Sequence, residues 1–184
     1  MKKLVCVVEG HGEVRALPTL CHRILARLER WDWHVLPEAM RSSRSKLVDQ
    51  RIGSPRRPPQ PAEIARVVAL ALAARADAVL ILVDSDDDCP VSWGPPASTL
   101  IRTRVAGAAV MAVREYEAWL LHHYSHPAAE ATRDAKKAVR EFVPGYNPAT
   151  HQLEVTKLLD IAKVRASSPS FDKLVRTIGE ICAA

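Results

Sequence analysis

Asp84, Asp86, Asp87 and Asp88 crowd four carboxylates into five positions, directly after the apolar run Val79-Leu80-Ile81-Leu82-Val83. Glu9 with Glu13, and Glu115 with Glu117, follow apolar segments in the same way. Gathered carboxylates repel one another, so at neutral pH they need protons or cations to coexist. Oxygen-rich sites of this kind suit Mg²⁺ or Mn²⁺. Two such ions, roughly 3.5–4 Å apart, can clamp the attacking and leaving oxygens of a phosphodiester. Extended backbone through Asp84 and Asp86 would turn both to one side and Ser85 to the other. Asp87 and Asp88 then support the pair or face water. Glu9 and Glu13, four apart, could face one point across a helical turn. The candidate metal-holding and catalytic set is therefore Glu9, Glu13, Asp84, Asp86 and Glu117. The plainer alternative is that Glu13 and Glu117 only favour their helix N-termini, and that 84–88 is a self-capped turn.

These residues matter together only if the fold gathers them. Residues 78–84 read as a strand buried on both faces, because a short Val- and Ile-rich run closed by polar residues has that pattern. Residues 3–8 read as a first strand. Glu9-Gly10-His11-Gly12-Glu13 supplies a tight turn into a helix whose apolar residues from Val14 to Leu28 recur at three- and four-residue spacing. A short strand is expected within 31–40, a helix over 62–76, a short helix over 97–103 after a Pro-rich connection, and a fourth strand over 108–113. A further helix is expected to begin in Arg114-Glu115-Tyr116-Glu117-Ala118-Trp119. Helices over 131–142, 152–165 and 169–181 complete the chain, the last with Ser168 as N-cap and Pro169 in its first turn. This β-α-β-α-β-α-β order predicts one α/β domain over 1–184, Rossmann-like, with a four-stranded, mainly parallel sheet, helices on both faces and a helical C-terminal extension from about 128. In such sheets ligands bind at the C-terminal strand edge, where the acidic residues fall.

Lys and Arg outnumber Asp and Glu by 26 to 21, and the excess is local. Between Met40 and Pro61 six bases face the single acid Asp49. That Pro-rich stretch, 41–61, has neither helical nor strand periodicity and reads as a long loop. Arg41, Arg44, Lys46, Arg56 and Arg57 within it are candidate contacts to a nucleic-acid backbone, beside Arg51. A solvated surface loop is the alternative. Cys6, Cys21, Cys89 and Cys182 lack zinc-ligand spacing and read as small apolar residues. His122-His123-x-x-His126 fits a polar helix end ahead of Pro127 better than a zinc site, and His11 is a candidate phosphate contact. No apolar run makes a credible membrane span, and no signal-peptide pattern is complete, so a cytoplasmic address without membrane attachment is expected. Self-association is left open.

Val8-Glu9-Gly10-x-x-Glu13, Asp84-x-Asp86, Glu117-Ala118-Trp119-Leu120-Leu121 and Ser168-Pro169-Ser170-Phe171, in this order, resemble toprim-type domains. The nearest likeness is to a bacterial toprim-like family of unknown function, related to the toprim domains of OLD-family nucleases. The resemblance implies Mg²⁺ held by the Glu and the DxD pair, a nuclease-like activity on phosphodiesters, and a role in phage defence with a genetically linked ATPase. Relatives of the nuclease branch add a catalytic lysine, for which Lys157 and Lys163 are the guesses here. The chain has no ATPase phosphate-binding motif of its own. A non-catalytic module binding nucleic acid or an ATPase is the alternative. Phosphatase and glycosyltransferase readings of the DxD fit less well, since two βα units precede it and the chain is short.

Overall fold

The structure, a computed structural model, describes residues 1–51 and 56–183. Five strands form one parallel sheet: β1 (Lys2–Val8), β2 (Trp33–Val35), β3 (Met40–Arg41), β4 (Ala78–Asp84) and β5 (Ala106–Ala112). The order is β2-β1-β4-β5, with β3 continuing beside the C-terminal end of β1, where Val8 pairs with Arg41. β1 and β4 lie inside the sheet, and their side chains alternate between two apolar layers. Leu4, Cys6, Val8, Leu80 and Leu82 enter one core; Val5, Val7, Val79, Ile81 and Val83 enter the other. Each such residue contributes about 1.5–3 kcal/mol on burial.

The second of these layers is covered by α3 (Pro61–Ala73) and α4 (Pro90–Arg102), which bury Ile64, Val67, Trp93 and Ile101. On the first lie α1 (Glu13–Arg27), α5 (Glu117–His123), α6 (Ala135–Val139), α7 (Pro148–Leu158), α8 (Ile161–Ser167) and α9 (Pro169–Ala183). A four-residue α2 (Arg44–Leu47) follows β3. The α/β architecture, the parallel sheet, the helices on both faces and the helical C-terminal flank are thus as expected. No helix among the described residues is long and apolar enough to cross a membrane.

Several boundaries differ from expectation. The sheet has five strands rather than four, because the 41–61 stretch opens with β3 and α2 and is then closed by an antiparallel bridge between Val48 and Pro59. Residues 52–55, which include Pro55 of that expected loop, lie outside the described residues. α4 begins at Pro90 rather than near Ala97: proline fits a helix's first turn, and Gly94 lets the helix approach β5, a Cβ there lying 3.3 Å from the Ala109 carbonyl. The helix expected over 131–142 is a 3₁₀ turn at Ala129–Ala131 followed by the short α6. That expected over 152–165 is split. Leu159 leaves helical conformation, and the Asp160 side chain caps α8 through the Ala162 and Lys163 N–H groups. The capping expected of Ser168 is present, its Oγ accepting from Phe171 N at 3.1 Å.

Candidate functional site

The parallel strands β1, β4 and β5 all end on one edge, and each delivers acid there. After β1, Glu9 enters the turn and Glu13 opens α1. The Glu13 carboxylate folds back to accept from Gly10 N at 3.1 Å. A Cβ at Gly10 would stand 2.9 Å from Glu13 Oε1, so the glycine leaves room for this folded-back carboxylate. Gly12 allows α7 to approach the start of α1, for a Cβ there would meet the Pro148 carbonyl at 2.8 Å. The Glu-Gly-x-Gly-Glu pattern thus shapes the turn twice over.

β4 ends at Asp84, which is buried and accepts from Tyr116 N at 2.8 Å. The extended alternation expected to align Asp86 with Asp84 stops here. Asp86 has φ 49°, in the left-handed region that aspartate tolerates, and its side chain is about half exposed. Arg44 ties this turn together. Its guanidinium donates to the Asp84 and Ser85 carbonyls and to Asp88, while its Nε lies 3.2 Å from Asp86 Oδ2. Asp88, expected to be supporting or solvated, is buried between Arg44 and Arg57, with Arg57 at 3.6 Å. Asp87 faces outward to Arg114 and Arg133.

Beyond β5 the chain reaches α5 at Glu117, within the stretch expected to open that helix; Arg114, with a positive φ of 63°, stays outside it. Glu117 is fully buried, and Tyr146 Oη donates to its Oε1 at 3.0 Å. Among the described residues its Oε2 has no hydrogen-bond partner, nor has Oε2 of Glu9. Trp119 packs between Tyr116 and Phe171, and its Nε1 donates to Ser170 Oγ at 2.8 Å. Glu130 accepts from both serines of Ser168-Pro169-Ser170, so that motif fastens α9 to α5.

The charges of these groups act on one another. Burial raises the Glu9 carboxyl to about 7, and the charges of Glu13 and Asp86 add to the shift while Arg44 opposes it. Burial, then Glu13, Glu9 and Glu117, hold Asp84 well above the usual carboxylate range. Burial also lifts Glu13, and it takes Glu117 to about 7 against the pull of Lys136. Glu9, Glu13 and Glu117 therefore gather around Asp84, on which all three act. Asp86 stands at the rim of the group.

Lys136 on α6 is the residue sequence reasoning missed. Partial burial works to lower its pKa, yet the charges of Glu117, Asp84, Glu115 and Glu13 outweigh burial and hold it raised. No spacing in the sequence links it to the acids. Only the Lys136-Lys137 pair at the start of a short helix marks it. The guessed lysines lie elsewhere: Lys157 pairs with Glu154 at 2.7 Å, and Lys163 donates to the His123 carbonyl.

Of the basic candidates, Arg44 is committed to the acidic turn rather than offered to a ligand, and Arg57 leans on Asp88. Arg41, Lys46 and Arg56 are exposed. β3 brings Arg41 next to the site, where Nη1 contacts the His11 ring. The three histidines do not converge on a zinc site: His123 Nδ1 accepts from Asp160 N at 3.1 Å, and His126 Nδ1 from Ala128 N at 3.4 Å.

The donors at the cluster are hard carboxylate oxygens, two of them orphaned, and their chemistry fits a hard divalent cation. As the side chains stand, no group of three or more His, Cys, Asp or Glu among the described residues is posed to hold a metal ion. No protein-family model, curated protein or solved structure matches the chain.

Proposed function

We propose that this protein hydrolyses phosphodiester bonds at the carboxylate cluster with a divalent cation, as a toprim-like nuclease. One observation carries the reading. Glu9, Glu13, Asp84 and Glu117 leave three different strand ends yet meet in one largely buried environment around Asp84, whose carboxyl is raised by burial and by the other three, with Glu9 Oε2 and Glu117 Oε2 without a hydrogen-bond partner among the described residues. Buried acids whose protonation is pushed towards neutrality by burial and by each other are characteristic of functional sites. Glu9, Asp84 and Asp86 would hold the first Mg²⁺ or Mn²⁺, with Glu13 and Glu117 serving a second or orienting water. Such an ion, when bound, supplies charge neutralisation on the phosphate and a more acidic water.

The protein's own residues do the rest. Tyr146 fixes Glu117, Tyr116 N fixes Asp84, and Lys136 offsets the negative charge that remains. Arg41, exposed beside His11, meets the backbone phosphates, aided by Lys46 and Arg56. The toprim resemblance directs the search for a partner to an ATPase encoded nearby, and for a setting to phage defence.

A second reading is a module that binds nucleic acid or an ATPase without cutting. It is favoured by the present side-chain poses, with Glu13 folded onto Gly10 and Asp86 onto Arg44. Incubation of labelled DNA and RNA with Mg²⁺ or Mn²⁺, using wild type and Asp84→Asn, separates the two. Cleavage lost in the variant supports hydrolysis at this cluster. Cleavage unaffected by the substitution refutes it, and binding without cleavage by wild type selects the second reading.

A further inference from the structure

β5 ends the sheet, and the helices on its two faces diverge beyond that edge. α4 belongs to one core through Trp93, Ala97 and Ile101; α9 belongs to the other through Phe171, Leu174 and Ile178. Between them a groove of about 480 Å³ runs along β5. Small-molecule sites fall at roughly 300–1,000 Å³.

Two properties of the groove define what it can hold. Its walls are largely apolar, formed by Val91, Pro95, Val110 and Met111, with Val91 73% exposed. Among the described residues its charged lining is Arg102 and Lys173, with no acidic side chain.

An added β-strand is a poor occupant. The outward Ala109 N–H already donates to Ser98 Oγ at 2.9 Å, and the Gly107 carbonyl accepts from Arg102 Nε at 3.1 Å. α4 thereby closes that part of the edge to strand pairing. What remains is a short, apolar, cation-rimmed slot. We infer that this groove binds a small organic anion with a compact apolar body, such as an aryl carboxylate. The body lies against Val91, Pro95, Val110 and Met111, and the carboxylate meets Arg102 and Lys173. The site is separate from the acidic cluster, and the inference is independent of the reading given to that cluster.

Titration calorimetry of the full chain with naphthoate, and with its neutral counterpart naphthylmethanol, tests the inference. Naphthoate should bind saturably at one site, with the alcohol roughly tenfold weaker or worse, one charge-assisted contact corresponding to about that factor. Lys173→Gln, at an exposed position, should weaken naphthoate roughly tenfold without lowering Tm. Absence of saturable naphthoate binding to wild type overturns the inference. So does equal affinity for acid and alcohol, or unchanged affinity in an Arg102→Gln/Lys173→Gln double variant that retains the wild-type Tm.

Discussion

Replacing Glu117 by glutamine should stabilise the cation-free protein at alkaline pH and destabilise it slightly at acid pH. The folded environment lifts this carboxyl from its ordinary 4.5 to about 7. Between those values the folded state keeps a proton that the unfolded chain has released, so stability falls as pH rises through that window and stays reduced above it. At about 1.4 kcal/mol per pH unit, the full cost above pH 7 is about 3 kcal/mol. Glutamine never ionises, and its amide oxygen can still accept from Tyr146. Its NH₂ group would sit where Oε2 now lacks a partner, costing on the order of 1 kcal/mol. The balance at pH 8 is a gain of about 2 kcal/mol, which for a chain of this length raises Tm by roughly 4–8 °C. Near pH 4 only the amide penalty survives, and the difference changes sign. Urea unfolding followed by circular dichroism, in chelator at pH 4, 6 and 8, reads this directly. A stability difference that does not vary with pH would refute the reasoning. A variant less stable than wild type at pH 8 would do the same. On the proposed function, the stabilised variant should also have lost cleavage, so activity and stability move in opposite directions.

Three further expectations follow from named contacts. Gly12→Ala sets a Cβ 2.8 Å from the Pro148 carbonyl and against Gln152, so α7 must shift and stability should drop by about 1–3 kcal/mol in the same unfolding assay; an unchanged midpoint would show that the α1–α7 contact is slack. Arg44→Ala removes the main partner of buried Asp88 and should cost about 3 kcal/mol, whereas Arg44→Lys, a point charge without the planar fork, should recover only part. Arg41→Ala should leave unfolding unaltered but lower nucleic-acid affinity and flatten its salt dependence by about one ion, measured by fluorescence anisotropy across a salt series; an identical slope would remove Arg41 from the interface.

The parts of this molecule legible in the sequence are those whose causes are local. The 78–84 run is bounded by its own hydrophobicity and ends where carboxylates begin, so β4 could be read residue for residue. Glu9, Glu13, Asp84 and Glu117 could be gathered on paper because parallel strands bring their C-terminal ends to one edge. What could not be read depends on tertiary contact. β3 is two residues long and exists by pairing with β1, so no periodicity announces it. Asp86 leaves the expected line because the chain turns under the hold of Arg44, forty-two positions upstream. Lys136 reaches the acids from a separate short helix. The break at Asp160 was available, since an aspartate before Ile161-Ala162 is an N-cap signal, but the apolar residues on either side masked it.

The last helix bears on how the chain reaches this state. α9 is fastened at its start to Trp119 through Ser170, and near its end the Cys182 carbonyl accepts from Trp33 Nε1 at 3.1 Å. It thus closes the core over β5, β4 and α1, and it reaches Trp33 of β2 with a residue made some 150 positions later. During synthesis the N-terminal half can pair β1 with β4, but one side of the sheet must wait, its apolar residues uncovered, until Phe171 to Cys182 have left the ribosome. Such late, long-range closure slows folding and leaves a nascent chain open to chaperones and to self-association. Expression truncated before α9 should therefore yield aggregate rather than a smaller folded protein.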